Sequence, residues 1–146
     1  MNKYIKTYTV MSGHIDVTEH MSNVEYYEFF KSAIFAFLYE NNFSSLNEDD
    51  DLWPIVLEES CKFYKEVLFN SEIKVSISFK YIGENKNKWL CIGEMHNTDG
   101  VVCAVWESLH GILNRKTRRI QPMTDGMFNL ISLYTEKCHT QASNTN

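Results

Sequence analysis

Residues 23 to 42 carry more apolar side chains than one face of a helix can hold. Val24, Tyr27, Phe30, Ile34, Phe37, Leu38 and Asn41 fall at helical spacing, and Tyr26, Phe29, Ala33 and Ala36 add a second apolar face. Asn23 suits the N-cap, and Glu25 and Glu28 fall in the first two turns, where the helix dipole favours negative charge. Only Glu25, Glu28, Lys31, Ser32, Tyr39 and Glu40 suit water. A helix this apolar has to be enclosed by other elements rather than laid on a surface. It is expected to end near Asn42.

The rest of the chain supplies the cover. Tyr4 to Val10 reads as a first strand, and Ile55 to Tyr64 as a second, starting just after Pro54. Ile73, Val75, Ile77, Phe79 and Tyr81 alternate with polar residues and mark a half-buried strand. Trp89 to His96 and Val101 to Leu113 follow, joined at Asp99-Gly100, a strong hairpin signal. Arg115 to Arg119 reads as a basic turn. Thr124 or Asp125 caps a short helix reaching about Lys137, and the acidic stretch Ser44 to Asp51 is a loop. The order is strand, helix, then four strands in a meander. Connections this short make the last strands antiparallel. One long helix then covers one face of an antiparallel sheet of about five strands, an α+β arrangement.

A chain of 146 residues holds one domain, placed at 1–138, with 139–146 a frayed polar tail. The net charge of -5 leaves no whole-domain basic footprint, which argues against nucleic acid. No run approaches the ~18 apolar residues of a membrane helix. The start lacks the apolar core of a signal peptide, and Cys61, Cys91, Cys103 and Cys138 lack metal-ligand spacing. We therefore expect reduced thiols, no metal, no cofactor and a cytoplasmic location.

The segment His14-Ile15-Asp16-Val17-Thr18-Glu19-His20-Met21-Ser22-Asn23-Val24-Glu25-Tyr26-Tyr27 resembles the D-x-x-G-H-V-N-N-x-x-Y segment of hotdog-fold acyl-CoA thioesterases of the 4-hydroxybenzoyl-CoA thioesterase-like superfamily. Lys62 to Val67 resembles that family's Y-x-R-x-V strand end. Met95 to Gly100, with Ala104 and Glu107, resembles its later hairpin, and Thr117-Arg118-Arg119 before Pro122 its closing segment. The pattern, with His20-Met21, is nearest the branch that acts on betainyl-CoA. Three positions depart from it: the motif glycine stands as Glu19, its first asparagine as Ser22, and the closing aspartate as Asn114.

The resemblance implies a sheet wrapped around the central helix. It also implies a homodimer or dimer of dimers joined sheet edge to sheet edge, with active sites at the interface. The implied reaction is hydrolysis of acyl-CoA to carboxylate and CoA. The alternatives are a hotdog dehydratase and a noncatalytic acyl-CoA-binding module.

Thioester hydrolysis needs an activating group and donors for the oxyanion, and a helix start offers unpaired N–H groups. Asp16 is the first candidate for nucleophile or general base, beside its plainer use in a turn. His20 is a candidate to orient water or the acyl carbonyl, and Asn23 to hold water. Glu59 is the second candidate carboxylate, because it lies in the apolar run Ile55 to Phe63 and faces opposite to Glu58. Val24, Tyr26 and Tyr27 are placed beside the substrate. Arg115, Arg118 and Arg119 form the densest basic cluster and match the phosphates of CoA, or else a solvated turn.

Overall fold

The computed structural model describes residues 2–19, 21–43 and 51–136. Six antiparallel strands form one sheet: β1 (Tyr4–Thr9), β2 (Leu52–Phe63), β3 (Glu72–Ile82), β4 (Lys88–His96), β5 (Val102–Asn114) and β6 (Arg119–Gln121). Two helices accompany it, α1 (Asn23–Glu40) and α2 (Asp125–Leu133). The α+β class and the strand positions agree with the sequence. Among the described residues no helix is long and apolar enough to cross a membrane.

Three expectations are corrected. The strand order is β1-β3-β4-β5-β2, so only β3, β4 and β5 form a meander. β2 crosses to the far edge and pairs with β5 from Leu52↔Asn114 to Phe63↔Ala104. Pro54 lies inside β2 opposite Ile112, a place an edge strand tolerates because one side needs no donor. The sheet gains a sixth strand because the basic turn closes into a hairpin. Asn114 Oδ1 accepts from the N–H groups of Lys116 and Thr117 at 2.9 and 3.1 Å, and Arg118 turns the chain at φ 62°. Arg119 thereby pairs with Asn114 as strand rather than turn.

The helix ends shift by one or two residues. Ser22, not Asn23, is the N-cap of α1, extended at ψ 152°, and its carbonyl accepts from Glu25 N at 3.0 Å. Asn23 is the first helical residue. The helix stops at Glu40 rather than Asn42, because Asn41 Nδ2 donates to the Phe37 carbonyl and Asn42 turns left-handed at φ 55°. Thr124 caps α2, its hydroxyl accepting from Met127 N at 3.3 Å, and the helix stops at Leu133, short of the expected Lys137. Residues 137–146, including Cys138 and the expected tail, lie outside the described residues.

Tyr26, Phe29, Phe30, Ala33, Ile34, Phe37 and Leu38 of α1 are buried. They meet the inner face of the sheet, where Trp106 stacks on Phe30 at 5.4 Å and Phe79 packs on Phe37 at 5.7 Å. Val24 and Phe35 depart from an enclosed helix, being 66% and 59% exposed. Gly93 of β4 permits the Phe30–Trp106 stack. A Cβ there would lie 2.6 Å from Phe30 Cδ1 and 3.0 Å from Trp106. Gly93→Ala is therefore expected to destabilise the protein by about 1–3 kcal/mol through overpacking, measured as a lowered denaturation midpoint.

Candidate active site

The motif loop is tied directly to the start of α1. Ile15 and Met21 form an antiparallel bridge, Ser22 N donates to His14 O at 3.1 Å, and Met21 N donates to Val67 O at 2.8 Å. Asp16 sits exposed at the head of this loop. Its Oδ1 accepts from Thr18 N at 2.8 Å and from the Thr18 hydroxyl. The carboxylate is thus held in one orientation by its own loop, the geometry of an Asx turn. His14 Nδ1 accepts from Met11 N at 2.8 Å and its ring packs edge-on against Phe29. His20 lies outside the described residues.

Glu19 adopts φ 69°. This is where the resembled motif has glycine, and the left-handed region explains why: only glycine enters it without a Cβ penalty. The loop keeps its shape with glutamate there and carries the strain. Glu19→Gly is expected to raise stability by about 1 kcal/mol, read from a chemical denaturation curve.

Around the helix start, Asn23 and Val24 are exposed, while Tyr26 is buried edge-on against Phe63 at 4.9 Å. Burial raises the pKa of both the Tyr26 and Tyr27 hydroxyls, so they stay protonated donors at neutral pH. Glu28 is exposed and Glu25 half-buried.

Glu59 faces the helix side of the sheet and Glu58 is exposed, as the alternation of β2 requires. Trp106 Nε1 donates to Glu59 Oε1 at 3.0 Å. Tyr27, Cys61 and His110 all lie within the field of this carboxylate. Burial first, then the Glu59 charge, pushes the Cys61 thiol up to about 11, so it is no ready nucleophile at neutral pH.

Beyond Trp106 a cavity of about 220 Å³ opens between the later turns of α1 and the sheet. Its walls include Ile34, Phe35, Val56, Trp89, Trp106 and His110. The sequence reading missed both the cavity and His110. The available signal was the alternation Trp106, Ser108, His110, which puts a histidine on the buried face of β5.

His110 is buried and packs in a stack on Trp89 at 5.8 Å. Burial lowers its pKa to about 4, against smaller upward pulls from the Ser108 carbonyl and Glu59. The folded pKa lies below the ordinary 6.5, so the unfolded chain takes up the proton first. The stabilisation is present above about pH 6.5 and lost as pH falls toward 4. Over that range stability is expected to drop by up to about 3 kcal/mol, and His110→Phe is expected to flatten the dependence in denaturation curves taken from pH 7 to 4.

Arg115, Arg118 and Arg119 lie elsewhere. Arg115 N donates to Asp51 O at 2.8 Å, and its guanidinium sits 5.3 Å from the Trp53 ring, beside the Leu52 end of β2. Lys116 pairs with Asp51 at 3.2 Å. The helix start packs on the opposite, Phe63 end. At about 3.3 Å per residue these ends of β2 are about 36 Å apart. Within one protomer the structure thus ties the loop that carries Asp16 to the start of α1 through Ile15–Met21 and His14–Ser22, sets Tyr27 near Glu59 on β2, and leaves the basic turn remote.

The sequence matches the family model of the thioesterase-like superfamily over residues 10–130. The chain belongs to the thioesterase-like superfamily. The match does not distinguish a branch, the betainyl-CoA group included. The fold is similar to that of the Staphylococcus aureus hypothetical protein SAV2348, solved in complex with CoA, with 21% identity and a TM-score of 0.82 over 91% of this chain and 84% of that one. A 1,4-dihydroxy-2-naphthoyl-CoA thioesterase from Synechocystis is 12% identical, with a TM-score of 0.76 over 89% of this chain and 96% of that one. PA5185 from Pseudomonas aeruginosa is 18% identical, with a TM-score of 0.79 over 92% of each chain. No curated protein sequence matches. Superfamily membership and the shared hotdog fold agree with the resemblance carried by residues 14–27.

Proposed function

We propose that this chain hydrolyses acyl-CoA thioesters to carboxylate and CoA. The observation that carries this reading is the motif loop bound onto the start of α1, with the Asp16 carboxylate fixed by Thr18. The superfamily match and the CoA-bound and thioesterase neighbours support it.

In this reading the thioester carbonyl meets the first N–H groups of α1, those of Asn23 and Val24, since Glu25 N donates to Ser22 O. Those donors bind more strongly as negative charge develops on oxygen. Asp16 activates water as general base or attacks the carbonyl itself, and CoA leaves as the thiol after gaining a proton. His20 and Asn23 position the water. Tyr27 lies next to Glu59, which holds the floor of the site through Trp106.

The reading needs a second copy. β2 is a long edge strand with Trp53, Val56, Leu57 and Phe63 each about 40% exposed, an arrangement that invites strand pairing. Antiparallel pairing of two β2 edges sets the Leu52 end of one copy against the Phe63 end of the other. Arg115, Arg118 and Arg119 of one copy then approach the helix start of its partner, where the phosphates of CoA would lie. The site is incomplete in one protomer and completed by two.

Activity, binding and assembly measurements test this. Asp16→Asn is expected to lower CoA release from a panel of acyl-CoAs, followed with a thiol reagent, by at least ~100-fold in a folded protein. Glu59→Gln keeps an acceptor for Trp106 and is expected to retain activity within about 10-fold; the reverse pattern would transfer the role to Glu59. Binding of acyl-CoA without release would favour the noncatalytic module. Sedimentation equilibrium is expected to give a dimer or tetramer at micromolar concentration, and a monomer would remove the completed site.

A further inference from the structure

The basic turn carries an anion of its own. Asp51 ends the acidic run Glu48 to Asp51 and stands directly before β2. Its Oδ2 lies 3.2 Å from Lys116 Nζ, and its Oδ1 lies 3.9 Å from Arg115 Nη2. The backbone holds the carboxylate there, because Arg115 N donates to the Asp51 carbonyl at 2.8 Å and Leu52 pairs with Asn114 in the ladder. The turn itself does not need that carboxylate. Its shape comes from Asn114 Oδ1, which accepts from Lys116 N and Thr117 N, and from Arg118 N, which donates to the Asn114 carbonyl at 2.7 Å. Arg115 is steadied again over the Trp53 ring. Stability does not explain the contact either. The Lys116 and Arg115 side chains are 80% and 49% exposed, and ion pairs in water add little. Among the described residues, Arg118 and Arg119 have no carboxylate within ion-pair distance.

We infer that Asp51 is a resident counter-anion on the basic turn, which a phosphate of CoA has to displace, and that it thereby weakens the hold on substrate and product alike. The identity of the arriving anion rests on the thioesterase reading. CoA is the part common to the thioester and to the released thiol. A cation that grips its phosphates binds both equally, which lowers KM without raising kcat and delays the departure of product. Arg115, Lys116, Arg118 and Arg119 put four positive charges on one short turn, and the fixed carboxylate of Asp51 reduces the sum to three. Phosphate oxygens and the Asp51 oxygens compete for the same N–H donors, those of Arg115 and Lys116. Arg118 and Arg119 stay open and meet the phosphate first. Removing the Asp51 charge leaves the turn in place, because Asn114 and the backbone bonds hold it, and frees two more cations for the ligand.

Titration calorimetry of free CoA against the intact protein reads this without any hydrolysis. Asp51→Asn is expected to bind CoA about 3-fold more tightly at low salt, the scale of one exposed ion pair. The gain is expected to shrink in ~0.5 M salt, where exposed charges are screened. Pantetheine, which lacks the phosphates of CoA, is expected to gain nothing from the substitution. Asp51→Ala is expected to follow Asp51→Asn, since both remove the charge and only asparagine adds an amide donor. In turnover, inhibition by added CoA is expected to strengthen by the same factor. Absent, unchanged or weaker CoA binding in the two variants, or an equal tightening for pantetheine, would overturn the inference. Thioester hydrolysis with CoA affinity unchanged by the substitutions would remove the counter-anion and leave the thioesterase reading. Tighter CoA binding by the variants of a protein that hydrolyses no thioester would do the opposite.

Discussion

Burial of α1 against the inner face of the sheet is the contact on which the other elements depend. The helix carries seven buried apolar residues, and no single flat surface could cover them. Trp106 and Phe30 stack at its centre because Gly93 leaves room for both rings. Tyr4 and Phe37 meet edge to face at one flank, and Tyr134, just past α2, meets Phe37 at the far end. Each burial of a large ring contributes a few kcal/mol, so these positions dominate the core. Once α1 is seated, its first turn is fixed relative to β2, and with it the loop of Asp16.

The fold was legible in the sequence where a period was long and clean. The period-two run of β3 and the apolar faces of α1 gave their elements to within a few residues. The departures came from information that no local pattern carries. That β2 pairs with β5 across some 40 to 60 residues is decided by which edge the helix crossover leaves open. β6 exists because of one side chain, Asn114, whose amide oxygen closes the turn. Its three residues are too few to show an alternation. Asn23 looked like a cap by residue type, but the backbone turns one residue earlier, at Ser22.

The site was legible only in part, for a similar reason. The Asp16 loop and the start of α1 were readable together because they are adjacent in sequence and bridged at Ile15–Met21. Glu59 could be singled out because a carboxylate in an apolar run needs a partner, and Trp106 supplies it. For His110 the alternation with Trp106 and Ser108 gave only a buried face, and the cavity beside it depends on how α1 and the neighbouring strands pack. The basic turn posed the reverse problem. Its residues suit phosphate, but their distance from the helix start depends on the length and direction of β2, which the sequence alone does not relate to α1.

The strand order also sets a timetable for folding. The hairpins β3-β4 and β4-β5 close short loops and form from neighbouring residues. β1 pairs with β3 from Tyr4↔Ile77, and β2 reaches β5 from Leu52↔Asn114, both over long stretches of chain. Contacts between distant residues form slowly. A chain emerging from the ribosome therefore presents α1, with two apolar faces, before any of the sheet that covers it has been made. Glu25, Glu28 and Glu40 place like charges along that helix, and like charges disfavour the pairing of one uncovered helix with another.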